Sequence, residues 1–364
     1  MLSRSLAPLA VAALAACGAG GGPASAEADQ RLSGPHVHHN LAVYFIHGES
    51  AAGPVPLTLD EALVKGKVQV IETGQVNELK IENTGEEEVF IQAGDIVKGG
   101  RQDRVLMVSL LLTPRSGAVP ISSFCVEAGR WSGRGGEDAT RFTSAAEAMP
   151  SRKALLAMAA PPPKASMPLD GPVQGEVQGK RAQSSLGGGT GGRQQEVWNS
   201  VAKTQEKLAA SLGTGVKAPQ SATSLQLSLE NAKLKDARVS YVAAIEQAGL
   251  KDGDVVGFVA AINGKAVSAN VYPSNGLFRK VWARQLAAIV TEAIGEKARS
   301  SGAETPAPPV GAAKAFLAEA EHGKAEARAT TADMEQETRD GEKALYNEAR
   351  RPGGRWVHKN YLAK

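Results

Sequence analysis

One segment of the sequence, residues 159–193, limits what this chain can fold into more than any other feature. It is rich in proline and glycine and has few large apolar side chains. Such a composition cannot bury enough apolar surface to offset the conformational entropy that ordering would remove. We therefore expect a mobile low-complexity loop between two structured parts, residues 41–158 and 194–311.

The composition of the chain agrees with one large or two ordinary globular domains. The chain has 364 residues, of which 42% are hydrophobic but only 4% aromatic, so the core must be mostly aliphatic. The 41 basic and 38 acidic residues give a formal charge of +3, and the basic residues are spread along the chain. A nearly neutral chain without a basic stripe gives no argument for nucleic acid as a partner.

The first 28 residues have the features of a bacterial export signal followed by a short tether. Arg4 provides a positive start, and residues 6–16 form an apolar run too short to span a bilayer. The sequence LAAC that ends at Cys17 resembles a lipobox, in which the cysteine becomes the lipidated first residue of the mature protein. We therefore expect an exported cell-envelope lipoprotein whose partner is the membrane, through an anchor at Cys17.

Two details refine the expected location and the redox chemistry. Gly18 stands in place of the aspartate associated with inner-membrane retention, which favours the outer membrane and its periplasmic side. Residues 24–26, Ala-Ser-Ala, form an alternative cleavage site that would release a soluble periplasmic or secreted protein. Only Cys125 would then remain free, so no intrachain disulfide is possible. No other run reaches 18 apolar residues, so we expect no transmembrane helix.

Residues 41–158 have the pattern of an antiparallel β unit with one inserted helix. The runs VQVIET and ELKIEN alternate apolar and polar residues, as half-buried strands do. Thr58 precedes a helical stretch with Glu61 at the capping-box spacing, and Gly66 marks its end. This part is therefore predicted to be β-rich with a short helix near its start.

Residues 194–311 have helical periodicity interrupted by one hairpin. Helices are predicted from residue 194 and over about 229–248, and Asn263-Gly264 joins two strand-like runs in a type I′ turn. Ser274 caps a third helix, whose apolar face consists of Phe278, Val281, Trp282, Leu286, Ile289 and Val290. The chain is therefore predicted to be α+β, with an N-terminal antiparallel β unit packed with a C-terminal helical part that contains a β-hairpin.

Residues 312–364 form a charged C-terminal part. The stretch 312–350 is rich in Ala, Glu, Lys and Arg and has sparse apolar residues, which predicts a solvated or edge-packed helix. The final GRWVHKNYL regains apolar and aromatic character. We therefore expect a charged helix followed by a docking tail.

Signatures of catalysis and of metal binding are weak. His36, His38 and His39 have a spacing that can bind a metal, but no carboxylate or cysteine is close in sequence, and we expect a solvated stretch. His322 and His358 are isolated, and the patterns HExxH, CxxC and GxSxG are absent. We predict no metal, no cofactor and no catalytic constellation.

The sequence AGDIVKGGRQDRVL, residues 93–106, is the strongest candidate for a binding loop. The backbone N–H groups of Gly99 and Gly100 can form an anion nest, to which Arg101 and Arg104 add charge-assisted donors. It is not a Walker loop, because GxxxxGK[ST] is absent and a strand follows. The alternative is a glycine turn between strands whose charges are solvated or paired within the protein.

The stretch FCVEAGRW, residues 124–131, is the second candidate. Cys125 lies beside Glu127 and lacks the basic neighbour that lowers a thiol pKa, so a buried structural cysteine is expected and not a nucleophile. If this strand lies beside the binding loop, Glu127 and Arg130 pair with the loop arginines. Both polar strand ends would then meet at one rim.

Five motifs together carry a resemblance to a known family: GDIVKGGRQDRVL, FCVEAGRW, QQEVW, VVGFVAAINGK and WVHKNYL. They resemble the ARG and Rhodanese-Phosphatase-superfamily-associated protein domain, a domain of unknown function, from about residue 41 to the C-terminus. The family name records an association with ADP-ribosylglycohydrolases and phosphatase-like proteins. The resemblance therefore implies a connection with ADP-ribose or phosphorylated metabolites, and it favours a shared site at the two polar strand ends.

Three functions follow as hypotheses. The first is a non-catalytic binding module for an anionic, phosphate- or nucleotide-like ligand, with binding residues Asp95, Gly99, Gly100, Arg101, Gln102, Arg104, Glu127 and Arg130. The second is a hydrolase on ADP-ribose-like or phosphorylated metabolites, with Glu127 as general base. The third is an envelope scaffold whose residues 312–364 carry a surface for a protein partner. At the loop itself, a ligand site and a structural network of Asp95, Arg101, Arg104 and Glu127 remain alternatives.

Overall fold

The computed structural model describes residues 31–148, 152–159, 190–297 and 305–364. The expected signal with Cys17, the alternative cleavage site at residues 24–26, and most of the expected loop lie outside the described residues. The helices are α1 (Leu59–Val64), α2 (Arg152–Ala159), α3 (Thr190–Leu212), α4 (Leu225–Leu229), α5 (Ala232–Lys251), α6 (Asn275–Gly295) and α7 (Val310–Glu321). The strands are β1 (Arg31–His38), β2 (Leu41–His47), β3 (Leu57–Thr58), β4 (Val68–Glu72), β5 (Glu78–Asn83), β6 (Val89–Ile91), β7 (Asp95–Gly99), β8 (Arg104–Leu106), β9 (Leu110–Leu112), β10 (Gly117–Cys125), β11 (Phe142–Ala148), β12 (Val255–Ile262), β13 (Lys265–Val271), β14 (Ala325–Thr331), β15 (Met334–Asp340), β16 (Ala344–Arg350) and β17 (Trp356–Ala363).

The described strands form three sheets. The largest has the order β1-β2-β12-β13-β17-β16-β15-β14, and the second has the order β11-β7-β8-β10-β5-β4; both are antiparallel. In the small sheet β3-β6-β9, β3 and β6 are parallel. The α+β fold class is therefore confirmed. Because β2 pairs with β12, strands from both sides of the predicted loop share one sheet. The limits given for the separate parts stay predictions.

Local sequence signals produced several elements as predicted. The Thr58 side chain accepts the Glu61 N–H, and the Glu61 carboxylate accepts the Thr58 N–H, which completes the capping box of α1. Asn263 and Gly264 have φ of 52° and 75°, as a type I′ turn between β12 and β13 requires. Ser274 caps α6 by accepting the N–H of Leu277 at 3.2 Å.

The apolar face of α6 packs into an aromatic cluster. Trp282 is fully buried, and its ring lies 5.3 Å from both Phe45 and Phe258 and 5.4 Å from Phe278. Its Nε1 donates to the carbonyl of Glu246 on α5 at 3.0 Å, so the buried indole polar group is satisfied. Burial of each such ring stabilises the fold by about 1.5–3 kcal/mol. This cluster fixes the helices against β2 and β12.

Two predictions of local structure are wrong. The helix expected over 312–350 ends at Glu321, and β14, β15 and β16 follow. Residues rich in Ala, Glu and Lys favour a helix locally, but pairing in the large sheet overrides that preference. The stretch around His36, expected to be a solvated segment ahead of the domain, forms β1 and pairs with β2 in the large sheet. None of the helices in the described residues has the length and hydrophobicity to cross a membrane.

Candidate functional site

The predicted binding loop joins β7 to β8, and its two glycines determine its shape. Gly99 and Gly100 have φ of 116° and 57°, in the left-handed region that favours glycine. The Gly99 N–H donates to Asp103 Oδ1 at 3.0 Å, and the Gly100 N–H donates to the carbonyl of Arg141 at 2.8 Å. Both amides that were predicted to cradle an anion therefore have acceptors within the protein.

The second motif lies beside the loop, so the condition for the two polar strand ends to meet is fulfilled. β8 pairs with β10 in a register that places Cys125 opposite Arg104 and Phe124 opposite Val105. The strand ends at Cys125, so Glu127 lies in the turn that follows β10. The register brings the polar ends of both motifs together.

Asp103 is the point where the two motifs meet. Its fully buried carboxylate accepts hydrogen bonds from Arg134 Nη1 at 3.0 Å and from Ser224 Oγ at 2.9 Å. Arg130 Nη2 lies 3.6 Å from the same carboxylate. Charge-assisted hydrogen bonds of this kind are stronger than those between neutral groups, and here they tie the loop to Arg134.

Glu127 is buried beside Asp103 and is bound by the same arginines. Its Oε2 lies 2.7 Å from Arg130 Nη2, and its Oε1 lies 3.6 Å from Arg134 Nη1. Burial alone would raise the pKa of Glu127, but hydrogen bonds from Arg130 and Ser221 and the two arginine charges lower it below its usual range. Gln102 fixes the backbone here, since its Nε2 donates to the Glu127 carbonyl at 2.8 Å.

Arg104 is fully buried on the other side of the loop. Its Nη2 lies 3.6 Å from the carboxylate of Glu72, which is itself 5% exposed. Its Nη1 donates to the carbonyl of Gln102 at 3.0 Å. The guanidinium therefore stabilises the turn from inside and faces a carboxylate, not solvent.

These contacts define a buried charge network of three carboxylates and three guanidiniums, to which the partly exposed Glu137 adds a fourth carboxylate through Arg134 Nη2 at 3.1 Å. Its members are Glu72, Asp103, Arg104, Glu127, Arg130 and Arg134. Buried ions of one sign require partners of the other. Because the network supplies those partners itself, its charge balance does not call for a bound anion.

Arg101 and Trp131 form the exposed rim above this network. The Arg101 guanidinium carbon lies 5.4 Å from the centre of the Trp131 ring, and that of Arg104 lies 5.5 Å from it. Trp131 is 42% exposed, and Arg101 is half-buried. Among the described residues, no carboxylate oxygen lies within 4.0 Å of the Arg101 guanidinium nitrogens. We call this pair the Arg101–Trp131 rim.

The sequence matches a known family. The family model of the ARG and Rhodanese-Phosphatase-superfamily-associated Protein domain, ARPP-1, matches residues 29–362, which include both motifs. The chain belongs to the ARPP-1 family. No curated protein and no solved structure is significantly similar to it. The ARPP-1 domain is a domain of unknown function, so its role must be argued from the site.

Asp95 takes no part in the charge network of this ARPP-1 domain. Its Oδ1 lies 3.0 Å from Arg284 on α6, and its Oδ2 accepts the N–H of Gln92 at 2.9 Å. Complete burial raises the pKa of Asp95, and the nearby charge of Arg284 only partly opposes this. Asp95 therefore connects the start of β7 to the helical part.

Cys125 is buried, in agreement with a structural role. Burial raises the pKa of its thiol to about 11. Gln194, the first glutamine of the QQEVW motif on α3, holds the cysteine backbone at both ends: Oε1 accepts its N–H and Nε2 donates to its carbonyl, each at 2.9 Å. The QQEVW motif thus contacts the FCVEAGRW motif through hydrogen bonds from a glutamine side chain to the backbone.

The sequence did not identify several residues that the fold brings together. Arg134 and Ser224 complete the partners of Asp103. Ser109, His358 and Asn270 form a second buried polar group, although Ser109 and His358 are 249 positions apart in the sequence. No local pattern marks such a pair, because it depends on which strands become neighbours.

The predicted histidine stretch does not form a metal centre among the described residues. Within the described residues, the one group of potential metal ligands whose ligand atoms lie close together consists of His47, Asp252 and Asp254. Arg31 Nη2 donates to Asp254 at 2.6 Å and lies 2.7 Å from His47 Nδ1. A cationic side chain thus contacts two of the three residues, which disfavours a metal ion there.

Proposed function

We propose that this ARPP-1 protein is a binding module for an anionic ligand that carries a planar ring, such as a nucleotide or ADP-ribose, and that the ligand binds at the Arg101–Trp131 rim. One observation carries the proposal: Arg101 lies beside an exposed tryptophan with no carboxylate within 4.0 Å among the described residues, whereas Arg104, Arg130 and Arg134 are each paired with one. The rim performs no chemistry in this proposal.

The chemistry of the two side chains suits such a ligand. A guanidinium binds a phosphate or pyrophosphate through paired N–H donors. An exposed indole face stacks with a base, and base–aromatic stacking contributes about 1–3 kcal/mol. The buried Arg104 adds positive charge, since its guanidinium carbon lies 5.5 Å from the centre of the same ring. The association recorded in the family name makes ADP-ribose the first ligand to test.

The remaining predicted binding residues have supporting roles in this proposal. Gly99 and Gly100 shape the turn that presents Arg101, and Gln102 anchors it to the Glu127 carbonyl. Glu127 and Arg130 belong to the buried charge network beneath. Rigid support of this kind lowers the entropy cost of ligand binding.

Hydrolysis with Glu127 as general base gains no support from these contacts. Glu127 is fully buried, is bound by two arginines, and has a lowered pKa, whereas a general base needs access to its substrate and a pKa near the working pH. A scaffold role for residues 312–364 is also constrained, because β17 pairs with β13 inside the large sheet. The surface available to a protein partner there is the exposed edge strand β14.

We also propose that the protein is exported and anchored by a lipid at Cys17. The support is the LAAC sequence after an apolar run, since these residues lie outside the described structure. Labelling of cells with a clickable fatty acid is expected to tag the wild-type protein and not Cys17→Ser. Equal labelling of both proteins, or of neither, would contradict the anchor.

A thermal-shift series tests the ligand proposal. ADP-ribose, ADP, ribose 5-phosphate and inorganic phosphate are added to the wild type, to Arg101→Ala and to Arg115→Ala, an exposed arginine paired with Glu86. A ligand at about 100 times its Kd adds about 2.7 kcal/mol to stability, which is a shift of several degrees. We expect stabilisation of the wild type and of Arg115→Ala only. No shift in the wild type, or an equal shift in Arg101→Ala, would overturn the proposal.

A further inference from the structure

A second polar group lies where β9, β13 and β17 meet, and the Arg101–Trp131 rim plays no part in it. Ser109 Oγ lies 2.9 Å from His358 Nδ1, and His358 Nε2 lies 3.0 Å from Asn270 Oδ1. The three side chains are 5%, 2% and 5% exposed. The His358 ring also stacks on Tyr272 with 5.1 Å between ring centres. Serine, imidazole and amide thus form a fixed line of hydrogen bonds.

The directions of these hydrogen bonds follow from the neighbours. Asn360 Nδ2 also donates to Asn270 Oδ1, at 3.0 Å, so that oxygen is the acceptor for both partners. His358 Nε2 must then carry the proton, and Nδ1 accepts the hydroxyl proton of Ser109. The N–H of Ala93 donates to Ser109 Oγ at 2.9 Å and fixes the oxygen. The hydroxyl proton therefore points at a free imidazole lone pair.

Ser109 and His358 both line a cavity of about 30 Å³. One water needs roughly 10–15 Å³ of such space, so the cavity has room for a group of two or three non-hydrogen atoms. Met107 and Leu155 line an apolar side, and Arg328, which is exposed, reaches its rim from solvent. A network that only stabilised packing would not require both reactive groups to face open space.

We propose that Ser109 is a nucleophile for acyl transfer, that His358 is its general base, and that the substrate is an ester of a short acyl group such as acetyl. The arrangement is a nucleophile, a base and an orienting group within hydrogen-bond reach. Asn270 is a positioning residue, since it acts through His358. Arg328 is the cationic group that lines the cavity where negative charge would develop.

The reaction balances with water as the second substrate. Ser109 Oγ attacks the carbonyl carbon while its proton moves to His358 Nδ1. The bond to the alcohol oxygen breaks, that oxygen takes the proton from Nδ1, and the acyl group stays on Oγ. Water then attacks the acyl-serine, gives its proton to Nδ1, and the proton returns to Ser109 Oγ as the carboxylic acid leaves.

The environment of His358 determines the expected rate of Ser109 acylation. Burial lowers its pKa to about 3, so the ring is a free base at neutral pH but a weak one. Asn270 is neutral and adds no charge to stabilise the imidazolium. The acylation step is therefore slow, and Asn270→Asp, which supplies that charge, is expected to raise the acylation rate about tenfold or more.

The test uses p-nitrophenyl acetate as the probe and peptide mapping by mass spectrometry. We expect p-nitrophenolate release from the wild type and an acetyl group on Ser109. Ser109→Ala loses both, whereas Ser123→Ala, which removes another buried serine, keeps both. Circular dichroism establishes that each variant is folded.

Mapping of the wild type decides the question even if Ser109→Ala fails to fold. Acetyl groups on other residues with none on Ser109, from a folded wild type, would overturn the proposal. A folded Asn270→Asp protein with an unchanged acylation rate would overturn the role given to Asn270 and His358.

Discussion

Asp103 and Arg134 form an ion pair inside the protein, with Nη1 3.0 Å from Oδ2 and side chains that are 0% and 7% exposed. The pair joins the loop after β7 to the segment that follows β10. Removing two charges from water costs several kcal/mol per ion, and only good geometry with further hydrogen bonds offsets this. Ser224 and Gly99 supply those hydrogen bonds.

Loss of the Asp103 charge is expected to destabilise the fold strongly. In Asp103→Asn, Arg130 and Arg134 stay buried with one carboxylate fewer, and breaking a buried pair in this way costs about 3–5 kcal/mol. Equilibrium unfolding in urea measures the loss. Asp138→Asn is the control, because its ion pair with Arg141 has side chains 52% and 84% exposed and is expected to add little. Similar losses in both variants would contradict the buried network.

Gly100 and Gly135 provide a matched pair for the loop geometry. Both have a φ of 57°, but a Cβ on Gly100 would overlap the Phe142 ring, whereas one on Gly135 meets nothing within 4 Å. Gly135→Ala should cost about 1–2 kcal/mol from backbone strain alone. Gly100→Ala should cost about 1–3 kcal/mol more, because the ring must move. Equal unfolding free energies would show that the contact with Phe142 is unimportant.

The raised pKa of Glu292 on α6 predicts that the stability of the fold depends on pH. Burial raises its pKa from 4.5 to about 7, and the charge of Arg152 only partly opposes this. Below pH 4.5 both the folded and unfolded chains hold the proton. Between pH 4.5 and 7 only the folded chain does, so rising pH favours unfolding. The contribution of Glu292 is therefore complete in acid and is lost as pH rises through about 7.

Glu292→Gln should remove the contribution of Glu292 to the change of the unfolding free energy with pH. Between pH 4 and pH 8, the free energy of unfolding of the variant should rise relative to that of the wild type by at most about 3 kcal/mol. This figure is an upper bound because the Glu292 side chain is 16% exposed. Urea unfolding at the two pH values measures the difference. Glu206→Gln, on an exposed side chain of α3, is the control. If the unfolding free energies of Glu292→Gln and the wild type changed equally with pH, the raised pKa of Glu292 would be contradicted.

Cys125 should be inert in the folded protein. With a pKa of about 11 its thiolate fraction at pH 8 is about one in a thousand, and its side chain is fully buried. In a Cys17→Ser background, a thiol reagent should label Cys125 only after denaturant is added. Rapid labelling without denaturant would show that the strand end opens on its own.

The sequence predicted those elements that depend on nearby residues. Thr58 and Glu61 are three positions apart, and Asn263 and Gly264 are adjacent, so their hydrogen bonds and turn geometry are encoded locally. The strands β14–β16 were missed because their residues are stabilised as strands only by partners in the large sheet. That information is not present in a local window.

The sequence predicted part of the candidate site, namely the two motifs, but not the residues that complete it. The two motifs around Arg104 and Glu127 were recognised, and the register of β8 and β10 makes them neighbours. The Glu127 carboxylate nevertheless pairs with Arg130 and Arg134, not with the loop arginines. Arg134 and Ser224 were not recognised, because neither follows a helical or strand period that relates it to Asp103. The separation of the exposed Arg101 from the buried arginines required the three-dimensional contacts.

Direct titration of ADP-ribose tests the central claim, that the Arg101–Trp131 rim is a ligand-binding surface above a self-sufficient charge network. Isothermal titration calorimetry is carried out on the wild type, Arg101→Ala, Trp131→Ala and the control Arg115→Ala. We predict saturable binding to the wild type and to Arg115→Ala. Each rim variant should bind about five- to 150-fold more weakly, since one stacking or phosphate contact contributes about 1–3 kcal/mol. An affinity unchanged by both rim substitutions, or no binding to the wild type, would contradict the claim.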